Sequence, residues 1–143
     1  MKLPEQTQKM VNDFIKYFGE DNLPSEKEIL EKIKTLDRLP NSIEDIYTEI
    51  FLEKLKDQLQ KKYPLKTFVI KDNKISEVID IHITTIRIVI NDIDEYIGKI
   101  ESQYYTADNI INIICSYMEK AGIDIELLDM KKIKEEISRE IVA

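Results

Sequence analysis

Two residue types in the chain could support metal binding or nucleophilic chemistry, and each occurs once. His82 is the only histidine and Cys115 the only cysteine. Asp or Glu would have to complete a metal site, and their positions show no spacing typical of one. Cys115 would act as a nucleophile only beside a base, whereas its apolar surroundings from 110 to 118 predict a small buried side chain. We therefore expect no metal site and no cysteine catalysis.

Carboxylates offer a second route to catalysis. Asp92, Asp94 and Glu95 lie close enough in sequence to act as an acid and base pair. Acidic residues at the end of one helix or the start of another are, however, usually solvated. The chain also has only 3 glycines and no phosphate-binding loop. These observations predict a protein that is not an enzyme and needs no cofactor.

Composition limits the architecture and the compartment. With 143 residues and 43% apolar content, the chain can bury one core. We expect a single domain over residues 1–143, in which 1–100 and 105–143 could form sub-units. A lone cysteine cannot form an internal disulfide, and no apolar run approaches the roughly 18 residues that a membrane span needs. These features predict no membrane partner and a cytoplasmic or nuclear, reducing location.

The charge balance bears on the class of partner. Lys and Arg number 21 against 28 Asp and Glu, which gives a formal net charge of -7. This charge opposes nonspecific attraction to the phosphates of DNA and to anionic lipid. A protein partner is therefore expected, DNA is disfavoured, and the oligomeric state stays open.

Helical periodicity dominates most of the chain. Met10, Phe14 and Phe18 fall on one stripe of a first helix. Ser25 and Glu28 have the spacing of a capping box, which predicts the start of a second helix. A mainly α, compact domain is the first expectation. Its predicted helices cover about 5–18, Ser25 to near Pro40, Ser42 to before Pro64, 110–121 and 125–142.

The segment from Ile75 to Ile97 admits two structures. In the first, Ile75, Val78 and Ile79 form the inner side of a short helix, and a second helix follows a turn near Ile81. This helix-turn-helix interpretation of 75–97 leaves one set of side chains exposed, where they could contact DNA or a protein partner. The candidate contact residues are His82, Thr84, Thr85, Arg87, Ile88 and Asn91.

In the second structure, the β-branched run 81–90 forms a strand. Its alternate side chains would line opposite faces of a sheet. Asp72 and Asn73 are a turn signal that would join this strand to 67–70 as a hairpin. The alternative fold is therefore α+β, with a small antiparallel sheet from 66–90.

Three short motifs in this segment occur in a recognisable order: Ile75-Ser-Glu-Val, Thr85-Ile-Arg and Ile90-Asn-Asp-Ile. Together they resemble the helix-turn-helix at the end of a cyclin-like repeat of transcription factor IIB. They are also similar to the helix-turn-helix of bacterial sugar-responsive regulators. The resemblance implies a helical unit over 1–100 and a transcription-related binding protein or adaptor.

Local charge separates the functional hypotheses. Glu77, Asp80 and Asp92 lie near Arg87, so a helix-turn-helix here would repel DNA more than attract it. An adaptor that uses an exposed Ile88 avoids that repulsion. The alternative function needs no helix-turn-helix. It is an acidic protein-protein interaction module, such as an inhibitor, immunity or accessory protein, that acts on a basic partner.

Overall fold

The computed structural model describes residues 2–36, 42–81 and 84–102, together with the helical positions 111–112, 115, 119, 131–132 and 135–136. Within the described part of residues 2–102, three α-helices precede three strands and a fourth α-helix follows them. The elements are α1 (Glu5–Phe18), α2 (Glu26–Thr35), α3 (Ile43–Lys62), β1 (Thr67–Lys71), β2 (Lys74–Ile81), β3 (Thr84–Ile90) and α4 (Ile93–Glu101), with a 3-10 turn at Glu20–Asn22.

Local interactions set the ends of the first helices, as the sequence predicts. Gly19, with a φ of 90°, follows α1, whose bounds match the prediction. Ser25 and Glu28 form the predicted capping box, in which each side chain accepts the backbone amide of the other residue. Ser42 accepts the amide of Asp45 at 3.1 Å and caps α3. Each such cap contributes about 1 kcal/mol to stability.

Two predicted helical regions differ from the structure or fall beyond it. α2 ends at Thr35, before the predicted end near Pro40, because Leu36 already has extended backbone angles. The C-terminal helical hairpin predicted for 105–143 lies largely outside the described residues. The positions that are described there are helical.

The three strands form one antiparallel sheet in the order β1-β2-β3. Asp72 and Asn73 join β1 to β2, and their φ values of 52° and 60° are those of a type I′ turn. Lys71 pairs with Lys74 next to the turn. The α+β alternative and the predicted turn are therefore confirmed, within a fold that is otherwise helical.

The helix-turn-helix predicted for 75–97 is not formed. Most of its described residues belong to β2, β3 and the start of α4, and β2 pairs with β3 along nearly its full length. β-branched side chains are stiff and pack well on a pleated sheet, so a segment rich in Ile, Val and Thr favours strands. The strand alternative also needs one correction. Residues 81–90 are not a single strand, because the chain reverses between Ile81 and Thr84.

α3 is central to the core, because it contacts α1, α2, β1 and β2. Its side chains Phe51, Leu55 and Leu59 are completely buried. The ring of Phe14 in α1 lies 5.4 Å from that of Phe51. The sheet contributes Phe68, Ile75 and Ile90 to the same cluster. We call the side of the sheet that carries these residues the inner face, and the opposite side the outer face.

Candidate partner-binding surface

The structure separates the contact residues predicted from the sequence. Thr85 and Arg87 are exposed on the outer face of β3, whereas Ile88 is half-buried on the inner face and packs against the core. The prediction of an exposed Ile88 is therefore wrong, because successive residues of a strand face opposite sides. Thr84 begins β3, and His82 lies outside the described residues.

The exposed part of β3 combines polar and apolar side chains. Thr85 donates a hydrogen bond to Asp80 of β2 at 2.7 Å, and Arg87 follows on the same face. Val89, next on that face, is 44% exposed although it is a large apolar residue. Val89 is thus the apolar contact candidate of β3, whereas the helical interpretation selected its neighbour Ile88.

A row of carboxylates runs along the exposed side of α3. Asp45, Glu49, Glu53 and Asp57 are all exposed, and their spacing of four residues places them on one side of the helix. A helical rise of about 1.5 Å per residue gives them a span of about 18 Å. Lys32 of α2 approaches Glu49 at 3.8 Å, and within the described part of the chain the other three make no ion pair. We call these four residues the acidic row.

The acidic row can be recognised in the sequence from the spacing of its acidic residues, although not from the spacing of the apolar ones. A period of four among acidic residues, within a helix already predicted between Ser42 and Pro64, identifies one exposed side. Nearby lysines are used within the fold, since Lys54 of α3 pairs with Glu28 of α2 at 2.8 Å. Most of the negative charge of the row is not neutralised in this way.

A polar cluster lies inside the protein where β2 and α4 meet. Glu77 is buried on the inner face of β2, and the Nζ atom of Lys66 lies 3.7 Å from its carboxylate. The Tyr96 hydroxyl of α4 donates a hydrogen bond to the same carboxylate at 2.5 Å. The side chains of Lys66 and Glu77 are each only 2% exposed, so each depends on the polar groups around it. We call Lys66, Glu77 and Tyr96 the buried triad.

Tyr63 borders the buried triad. Its ring meets that of Tyr96 edge-on, with the centroids 6.4 Å apart. Its hydroxyl is buried and has no hydrogen-bond partner among the described residues. Burial raises the pKa of Tyr63 to about 12, with a smaller contribution from the charge of Glu101. The phenol is therefore neutral near physiological pH and does not provide a base.

A wide groove lies beside the start of α1. It has a volume of about 970 Å³, and Lys2, Lys9, Asn91 and Asp92 are among its lining residues. Lys9 and Asp92 form an ion pair of 2.5 Å, and this hydrogen bond lowers the pKa of Asp92. Two of the charged groups that line the groove, Lys9 and Asp92, are thus already paired with each other, which makes them less available to a small molecule.

The acidic residues near position 92 hold α4 in place. Asp92 accepts the backbone amide of Glu95 at 2.9 Å and caps the helix. Asp94 accepts hydrogen bonds from the Tyr17 hydroxyl at 2.5 Å and from Lys16 at 3.1 Å, which together lower the pKa of Asp94. These carboxylates are occupied by contacts between α1 and α4. The structure therefore gives no support to an acid and base pair here.

Acid should weaken the contact between α1 and α4. The pKa of Asp94 is lowered in the folded protein, so its ionised form stabilises the fold above its ordinary value of 3.8, and this contribution is lost as the pH falls toward the folded value. Asp94→Asn should slightly lower the melting temperature near pH 7 and leave it unchanged at about pH 2, measured by circular dichroism. The same replacement in a Tyr17→Phe, Lys16→Met background should have a smaller effect near pH 7, because only the favourable charge at the start of α4 is then lost. A pH-independent effect in both backgrounds would contradict this assignment.

Within the described residues, no three His, Cys, Asp or Glu side chains come close enough to hold a metal ion. Cys115 is a free, half-buried thiol, so the predicted core position is met only in part. None of the described helices has both the length and the apolar character needed to cross a membrane.

Comparison of the chain with protein-family models, curated proteins and solved structures gives no match, so the resemblance to transcription factor IIB stays a prediction.

Proposed function

We propose that this chain is a non-catalytic binding protein whose acidic row contacts a basic protein partner. The observation that carries the proposal is the exposure of Asp45, Glu53 and Asp57 without ion pairs in the described part of the chain. Like charges four residues apart destabilise a helix by about 0.2–0.5 kcal/mol per pair. Glu53 and Asp57 also lie beyond the first turn, where the helix dipole no longer favours negative charge. The repulsion between these carboxylates does not stabilise the fold, and a cationic partner would reduce it.

The charge of the whole chain is consistent with such a partner. A net charge of -7 steers cationic surfaces toward the protein and raises the rate of encounter. Exposed ion pairs are individually weak, about 0–1 kcal/mol, so further contacts are needed for a stable complex. Leu30 of α2, the helix that packs against α3, is 52% exposed and offers an apolar contact. The partner we expect therefore carries Lys or Arg residues beside an apolar side chain.

A role in binding a basic protein differs from the transcription-related role that the resemblance implies. An inhibitor, immunity or accessory protein acts by covering a basic surface, and an acidic helix face suits that role. A transcription-related role would have to use a surface other than a helix-turn-helix, because 74–81 and 84–90 form strands. No further observation on the described residues favours that role.

The acidic row can be tested with a lysine-rich peptide as the probe. We expect the peptide to shift amide resonances of α3 in the isotope-labelled protein at about 50 mM salt, and less so at about 300 mM, because salt screens exposed charges. Neutralising the unpaired members of the row should abolish these shifts and leave the fold intact. The row variant combines Asp45→Asn, Glu53→Gln and Asp57→Asn.

A matched control separates the position of the charge from its amount. The control variant combines Glu5→Gln, Glu20→Gln and Glu31→Gln, which are exposed acidic residues outside α3. It changes the net charge by the same amount and should bind the peptide as the wild type does. If the two variants lose binding equally, only the net charge matters and the acidic row is not the site.

A further inference from the structure

β3 is an edge strand that is open to pairing in the described structure. It pairs with β2 along one side, and among the described residues no strand lies along the other. Natural edge strands are usually short or are protected by Pro, by charged side chains, by a bulge, or by a covering helix or loop. β3 is 7 residues long, pairs without interruption from Thr84 to Ile90, and contains neither Pro nor Lys. Apart from the charge of Arg87, the described residues give this edge none of these protections.

Apolar side chains flank this edge on both faces of the sheet. Ile86 and Ile88 are only half-buried on the inner face, although Ile90 at the end of the strand is buried. On the outer face, Val89 is 44% exposed. Arg87 is the only charged residue of the strand. A second strand would therefore bury apolar surface on both faces and would have to accommodate one positive charge.

We propose that β3 pairs with β3 of a second copy of this chain, antiparallel about a two-fold axis at Ile88. The two three-stranded sheets then become one continuous sheet, with α1, α3 and α4 of both copies on the same side. On the inner face, Ile88 lies opposite its own copy and Ile86 lies opposite Ile90. On the outer face, Arg87 lies opposite Val89. The strand is complementary to itself in this register.

Other registers of the same pair are less favourable. An axis at Arg87 would place two guanidinium groups directly opposite each other, which destabilises neighbouring strands. A shift by one residue would bring Arg87 opposite Ile88 and put the helices of the two copies on opposite sides. An axis at Val89 would shorten the overlap to the end of the strand. Because β3 satisfies this register with its own sequence, the occupant we infer is a second copy of this chain.

Size and charge determine how this dimer should behave. A single pair of short strands buries less than the roughly 1,200 Å² of a standard interface, so the dimer should be weak. Each copy carries a net charge of -7, and salt screens the repulsion between them over a Debye length of about 10 Å at 0.1 M. Association should therefore strengthen with salt. Binding of a basic partner to the acidic row should weaken with salt, so the two proposals can fail independently.

Sedimentation velocity of the full chain tests the proposal. We expect a monomer and dimer equilibrium that shifts toward the dimer at higher salt. Val89→Arg would place a cation opposite Arg87 of the other copy at two symmetric positions, and should weaken the dimer about tenfold. Val89→Glu would place a carboxylate there instead, and should bind at least as tightly as the wild type. Both substitutions remove the valine, so a difference in affinity between the two variants reports the sign of the introduced charge.

The control substitution lies on the other edge strand. Thr67 of β1 is exposed on the outer face, and Thr67→Arg adds the same charge away from β3. It should leave the dimer unchanged, and circular dichroism should show the same fold for all variants. The proposal is overturned if the wild type stays monomeric at every concentration and salt, or if Thr67→Arg weakens the dimer as much as Val89→Arg. It is also overturned if Val89→Arg and Val89→Glu behave alike.

Discussion

Replacing Glu77 by Leu should lower the free energy of unfolding by about 3–5 kcal/mol. The Glu77 carboxylate is buried, lies 3.7 Å from the Nζ atom of Lys66 and accepts the hydroxyl of Tyr96. The leucine would remove this carboxylate from a buried ammonium, whose desolvation it helps to offset. It would also remove an acceptor from a buried hydroxyl, which adds a penalty of its own. Urea unfolding followed by circular dichroism measures the loss.

The double variant Lys66→Met, Glu77→Leu should recover part of that stability, because it still lacks the acceptor that Glu77 offers to Tyr96. Removing both charges also removes the need to keep either one out of water, and replacing buried ion pairs by apolar residues is often neutral or stabilising. The single variants should therefore be worse than the double variant. Losses that simply add would show that Lys66 and Glu77 do not depend on each other.

The two neighbouring tyrosines provide a matched control for the buried triad. Tyr96→Phe removes a hydrogen bond to a buried carboxylate and should lower the free energy of unfolding by about 1–3 kcal/mol. Tyr63→Phe is the same chemical change in the adjoining ring, and should have little effect because its hydroxyl has no partner among the described residues. Equal effects of the two replacements would contradict the role given to Tyr96.

The helices could be predicted from the sequence because their signals are local. The hydroxyls of Ser25 and Ser42 lie three residues before the amides they accept, so the caps can be read from spacing alone. The stripe that contains Phe14 needs only a helical period to face the core. The turn at Asp72 and Asn73 is equally local, since both residues tolerate positive φ.

The segment after this turn could not be assigned from its pattern, because both periods place the same residues inside. Ile75 and Ile86 face inward in the helical interpretation and in the observed sheet. The interpretations differ at Ile88 and Val89, and the choice of period decides which of the two is exposed. For the candidate surface, the sequence therefore predicted the exposure of Thr85 and Arg87 but not that of Val89.

The buried triad could not be predicted for a different reason. Glu77 looks like an ordinary surface residue in the sequence, because its partners come from separate elements. Lys66 precedes β1 and Tyr96 lies in α4, so only the folded sheet brings them together. A buried carboxylate is stable only with such partners, and partners that come from distant parts of the chain leave no local pattern in the sequence.

Replacing Phe68 by Ala should have an effect as large as that of Glu77→Leu, about 3–5 kcal/mol, while Val69→Ala beside it should cost no more than about 1 kcal/mol. Phe68 is 2% exposed on the inner face, and its ring centroid lies 6.4 Å from that of Tyr96. Val69 points to the outer face and is half-buried. Urea unfolding of both variants measures the difference. Similar losses at both positions would contradict the alternation of β1, and with it the pairing that places Glu77 inside the protein.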